Sequence, residues 1–217
     1  GKAESKSMIV REPLTEELVQ AHIDGKQGIG AIPINEENKC KFGALDIDVY
    51  DLNHNEMQDK IQKLKLPLVH CRSKSGGAHL YLFLKDWEQA ADIRDYLTEM
   101  SIALGHRGCE VFPKQDTIIA ERGDVGNFIN MPYFNADLPQ RYAFNSKTEA
   151  LELDEFLDTV DKSRVSLSDL EGMRLSKPRQ HFTDGPPCLE HLFSDGPVEE
   201  FRNNTLFNVA RDCKMKS

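Results

Sequence analysis

At 217 residues, 39% of them hydrophobic and 29% charged, the chain has a globular composition that supports one sizeable core, or one core with an appendage. No apolar run approaches the ~18 residues of a membrane helix, and no leader-like segment opens the chain, so neither a membrane protein nor a secreted one is expected. The net charge of −9 argues against a protein that coats nucleic acid by bulk electrostatics, since such surfaces are basic.

Five cysteines, at positions 40, 71, 109, 188 and 213, form no CxxC pair and read as reduced thiols in a cytoplasmic protein. The chain opens without Met and stops at Ser217, which reads as a piece of a longer protein. Residues 1–10 are polar. Pro13 precedes apolar residues at 14, 18, 19, 21 and 23, the spacing of a short helix ended by Gly25. Residues 28–34 read as a strand, Asn35-Glu36-Glu37-Asn38 as a turn, and residues 42–49 as the hairpin partner. Apolar positions 57, 61, 64 and 66 predict a helix over 54–66, closed by Pro67.

Residues 67–71 and 79–84 read as strands joined by a Ser/Gly turn at 73–78. Helical spacing of apolar residues from 87 to 104 predicts the longest helix, ended by Gly105. Short strands follow at 110–113 and 128–133, then a helix at 149–160. Residues 161–187 are rich in Ser, Lys, Arg, Pro and Gly and read as a linker, and 188–217 resume a helical pattern. This order predicts an α+β fold, a mixed or antiparallel sheet flanked by helices, with the helices on one face.

Three segments carry chemistry. In Leu45-Asp46-Ile47-Asp48-Val49, strand alternation sends Leu45, Ile47 and Val49 to one face and both acids to the other, about 7 Å apart. Paired carboxylates on an apolar strand suit a hard cation, Mg²⁺ or Mn²⁺, although a solvated strand end fits the pair alone. The turn Arg72-Ser73-Lys74-Ser75-Gly76-Gly77-Ala78-His79 offers two cations, two hydroxyls, backbone N–H groups and a ring donor, a set that suits triphosphate. It lacks the order of a P-loop. Downstream, Glu110 opens a short strand that ends at Pro113-Lys114, and Asn127 and Asn130 are candidates to bond sugar or base.

Together these motifs resemble the archaeo-eukaryotic primase superfamily, in its primase-polymerase branch, and most of all the primases of TOTE conflict systems and CRISPR-associated primase-polymerases. Asp46-Ile47-Asp48 matches the first family motif, and Ser75-Gly76-Gly77-Ala78-His79 resembles the second. Glu110 is the choice for the third, with Asp116 and Asp124 as alternatives. The likeness covers about residues 10–145 and makes 10–160 the catalytic domain. It implies template-directed addition of nucleotides to a 3′-hydroxyl with Mg²⁺ or Mn²⁺ held by Asp46, Asp48 and Glu110. Arg72, Ser73, Lys74, Ser75, Gly76, Gly77, His79 and Lys114 would bind the triphosphate. Tyr133, Asn127 and Asn130 are candidates to face the sugar.

The partners implied are single-stranded DNA template and primer, nucleoside triphosphates, and helicase or nuclease modules of a full-length protein, with work at the nucleoid. Pro186-Pro187-Cys188-Leu189 and Phe201-Arg202-Asn203-Asn204 resemble the start of the helical domain that follows the core in phage and plasmid primases. Competing chemistries for the same acids are a metal-dependent nuclease or phosphohydrolase. A non-catalytic nucleotide- or nucleic-acid-binding module would not need the acids.

Overall fold

A computed structural model describes residues 8–10 and 14–173. Its main sheet is built from β2 (Lys39–Ile47), β3 (Leu68–Arg72), β4 (Ala78–Gln89) and β5 (Glu110–Phe112). The order is β3-β4-β2-β5 and every neighbouring pair is antiparallel. Strand alternation divides the side chains between two faces. On one face Gly43, Leu45 and Ile47 look toward α3 (Ala90–Ala103). Gly43 lets that helix approach closely, since a Cβ there would lie 2.6 Å from Leu97 Cδ1. Helix α2 (His54–Lys63) lies on the same face, where its Gln58 meets His70 of β3.

The other face carries Val69, Tyr81, Ala44 and Phe112 in one register row across the four strands. Helix α4 (Leu153–Ser163) covers that row with Phe156 and Val160, and the segment before it contributes Ile129, Tyr133 and Ala143. Helices therefore flank both faces, where one covered face was expected. Two shorter strands, β1 (Gly30–Ala31) and β6 (Ile129–Asn130), pair antiparallel beside this layer. Helix α1 (Glu16–Ile23) starts at Thr15, whose side chain accepts from Leu18 N–H. No helix among the described residues is long and apolar enough to cross a membrane.

Several boundaries differ from the sequence reading. The strand expected at 28–34 shrinks to two residues, and Pro33 beyond it has no N–H to extend a ladder. β2 stops at Ile47, so Val49 is exposed rather than aligned with Leu45. β4 runs on to Gln89 because Lys39 pairs with Gln89 and Cys40 with Glu88; Trp87 is therefore a strand residue, and α3 begins only at Ala90. Within the expected linker, Val165 N–H donates to Phe83 O and Lys85 N–H to Val165 O. A further helix, α5 (Leu167–Glu171), is capped by Ser166 and buries Leu170 completely. Residues 174–187 of that linker and the helical segment 188–217 lie outside the described residues.

The segment around residue 142 pairs with the free edge of β3. Arg72 N–H donates to Tyr142 O (2.8 Å), Phe144 N–H donates to His70 O (2.9 Å), and Cys71 bridges Ala143. Tyr133 ties this segment down: its N–H donates to Arg141 O, its hydroxyl donates to Leu151 O, and Ala143 N–H donates to that same hydroxyl. Its ring is buried against Phe156, so this candidate for the nucleotide sugar belongs to the core instead. Replacing Tyr133 by Phe leaves the buried Ala143 N–H and the half-buried Leu151 carbonyl without this partner and should cost about 1–3 kcal/mol in denaturant unfolding. An unchanged midpoint would contradict that assignment.

Candidate active site

Two residues along each strand from the core row, and so on the same face, the register aligns Cys71, His79, Asp46 and Glu110 across all four strands. The row passes from dry to wet. Cys71 is buried, the Asp46 side chain is 29% exposed and that of Glu110 is 58% exposed. Asp48 lies past the end of β2 and is exposed. It is held by Ser75, whose hydroxyl donates to Asp48 Oδ1 at 3.3 Å. Lys114 Nζ pairs with Glu110 at 2.7 Å and sits over the Phe112 ring.

Charge is frustrated along this row. Burial raises the Asp46 carboxyl above the usual range, and the charges of Glu110 and Asp48 raise it further. Lys114 and Arg141 oppose that shift. His79 Nε2 lies 3.4 Å from Asp46 Oδ1, yet burial and then Arg141 push the imidazole down to about 4, so it is neutral at pH 7. Its Nδ1 lies 3.3 Å from the Tyr81 hydroxyl, and that hydroxyl donates its one proton to Asn130 O at 2.8 Å. His79 Nδ1 is then the donor, and Nε2 turns a lone pair toward Asp46. Two acceptors facing each other call for a proton or a cation between them.

The turn between β3 and β4 folds back onto the exit of β2. Gly76 has φ +98°, and a Cβ on it would lie 2.9 Å from Tyr50 O. A Cβ on Gly77 would lie 2.1 Å from Ile47 O. Within the turn, Ser73 N–H donates to Gly77 O, Gly76 N–H donates to Ser73 O, and the Ser73 and Ser75 hydroxyls are 3.1 Å apart. Lys74, Asn130 and Arg141 line a cavity of about 160 Å³, which His22 and Met131 also wall. His22 accepts from Ile29 N–H through Nδ1 and donates through Nε2 to Pro132 O at 2.9 Å.

The expected residues thus divide. Asp46, Asp48, Glu110, His79, Ser75 and Lys114 meet around the row, and Lys74 and Asn130 line the adjoining cavity. Arg72 alternates to the opposite face of the sheet, where its Nη1 donates to Ser73 O and Gln140 O and braces the turn. Asn127 is exposed and bonds Gln115. Asp124 accepts from Ile119 N–H within its own loop, whereas Glu110 stands directly opposite Asp46.

The sequence reading missed Arg141. Burial lowers its pKa, its charge is felt at Asp46, His79 and Tyr81, and its Nε is a buried donor with no acceptor among the described residues. A lone Arg between Gln140 and Tyr142 belongs to no motif, and only the pairing of its segment with β3 brings it here.

The donor set fits a divalent ion in kind, because hard cations take carboxylate oxygens. No group of three or more His, Cys, Asp or Glu among the described residues forms a ready-made cage.

With no ion present, ionised Asp46 opposes folding: its folded pKa is raised, so the penalty grows as pH rises through that pKa and disappears below it. Asp46→Asn should therefore stabilise the metal-free chain at pH 7 by roughly 1 kcal/mol. Melting curves should show the gap closing in acid and on adding Mn²⁺. A variant less stable than wild type at pH 7 would contradict this electrostatic reading.

Compared with protein families, residues 2–165 match the TOTE conflict system, Archaeo-Eukaryotic Primase domain. Comparison with curated proteins gives no match. The matched span holds the whole row, the turn and Arg141, and it covers well over half of the sequence. By that match the chain belongs to the archaeo-eukaryotic primase domain family of TOTE conflict systems, a family of primase-like nucleotidyltransferases.

Proposed function

We propose that this domain is a DNA primase-polymerase that adds nucleotides to a 3′-hydroxyl on a single-stranded template, using Mg²⁺ or Mn²⁺ held by Asp46, Asp48 and Glu110. The observation that carries this reading is the register row: His79, Asp46 and Glu110 stand side by side on one sheet face, with Asp48 tethered next to them by Ser75. Bound divalent ions would supply Lewis acidity, lowering the pKa of the attacking hydroxyl and neutralising charge on the triphosphate.

The chain's own groups do the rest. Ser75 orients Asp48, and Lys114 leaves Glu110 poised between an ion pair and a ligand role. Arg141 and Lys74 reach the cavity beside the row, where a triphosphate gives the Arg141 Nε–H the acceptor it lacks. His79 is neutral and placed by Tyr81, so it offers its Nε2 lone pair to a donor or cation without moving. The negative surface is compatible with this chemistry because the cations are local.

Partners follow from the same reading: template and primer strands, nucleoside triphosphates, and helicase or nuclease modules of a full-length protein. The test is incubation with single-stranded template, Mn²⁺ and labelled nucleotides, with and without primer. New strands without primer mean a primase, extension alone means a polymerase, and a shortened template means a nuclease and overturns the proposal. Asp46→Asn should lower incorporation at least about a hundredfold. Arg141→Gln should raise the nucleotide KM about tenfold while changing kcat less, since it removes a charge-assisted contact to the triphosphate. An unchanged KM would remove Arg141 from the site.

A further inference from the structure

On the sheet face opposite the carboxylates, His54, the first residue of α2, lies between His70 and the Ser73–Gly77 turn. Asn53 caps the helix by accepting from Glu56 N–H, which fixes where His54 starts. Its Nε2 is 3.0 Å from Gly76 O, its Nδ1 is 3.0 Å from His70 Nε2, and His70 Nδ1 is 3.0 Å from the Gln58 side-chain amide. Both rings pack 4.8 Å from the Phe144 ring.

Proton counting orders this chain. A carbonyl oxygen only accepts, so His54 Nε2 carries the hydrogen that binds Gly76 O. Burial lowers the His54 pKa and pushes His70 down to about 3, so both rings are neutral at pH 7. Neutral His54 must then accept at Nδ1, which requires His70 to carry its hydrogen on Nε2. His70 in turn accepts at Nδ1, so Gln58 presents its NH₂ there. The structure places Gln58 Oε1 3.0 Å from that nitrogen, so this proton order takes the amide turned by half, with its NH₂ in that position. With both rings neutral, this direction gives every hydrogen bond one donor and one acceptor, and it terminates on Gly76.

We infer that His54 is a positioning residue: it donates to Gly76 O and holds the turn carrying Lys74 and Ser75, and thereby Asp48, in register with the site. The turn is clamped between two supports. On one side Gly76 and Gly77 rest on the carbonyls of Tyr50 and Ile47; on the other His54 ties Gly76 to the buried polar chain. The catalytic consequence rests on the proposed function, while the hold on the turn stands without it.

The test uses the 217-residue chain. In ¹⁵N-imidazole spectra of wild type at pH 7, both His54 and His70 should be Nε2–H tautomers, and Nδ1–H on either ring overturns the relay. His54→Phe keeps the ring against Phe144 but removes the donor, whereas His54→Gln keeps a donor for Gly76 O. Amide exchange in the turn should rise about tenfold in the Phe variant and stay within about threefold of wild type in the Gln variant. The nucleotide KM should follow the same pattern, with kcat little changed. Equal exchange in wild type and His54→Phe overturns the inference, as does a Gln variant as mobile as Phe. Faster exchange in His54→Phe, in a wild type that incorporates no nucleotide, leaves the positioning role standing and overturns the proposed function instead.

Discussion

Antiparallel pairing places His79, Asp46 and Glu110 next to one another on adjacent strands, and strand spacing fixes how close their side chains stand. Asp46 is the middle member, partly buried, with an acid opposite it and another two residues on. It cannot move away, because Leu45 and Ile47 on either side are locked in the core. Like charges held this way oppose folding unless something positive enters between them. Much of the surrounding structure can be understood as holding that conflict in place.

The supports come from both faces. Tyr81 fixes the His79 ring from below, and its hydroxyl is anchored on Asn130 of β6. Tyr133 and the pairing with β3 hold the loop that delivers Arg141. On the opposite face, the chain from Gln58 through His70 and His54 reaches the turn that supplies Ser75 to Asp48. Asp46 and Glu110 thus rest on the sheet, while Lys74 and Arg141 come from a turn and a loop.

The parts of the site written into one strand were legible in the sequence. Asp46 sits in an alternating apolar run, His79 opens another, and Glu110 opens a third, so each strand advertised its polar end. What depends on where strands stop was not legible. Alternation placed Asp48 and Val49 on β2, but the turn packs its glycines onto Ile47 O and Tyr50 O, and the chain leaves the sheet between them. Helical spacing drew Trp87 into α3, because periodicity carries no information on the pairing of Lys39 with Gln89. The Ser- and Lys-rich stretch after 161 hid a short helix whose one buried anchor, Leu170, sets no period. Arg72 had the right charge beside the right turn, yet its strand parity points it away from the acids. Arg141 arrives through a tertiary pairing that no local pattern encodes.

On the proposed function, a divalent cation balances the charge at Asp46. Titrating Mn²⁺ into the nucleotide-free chain and following free ion by electron paramagnetic resonance tests it directly, with Asp46→Asn alongside. Saturable binding in wild type that weakens at least about tenfold in the Asn variant is the expected result. Equal binding by the two proteins would contradict it.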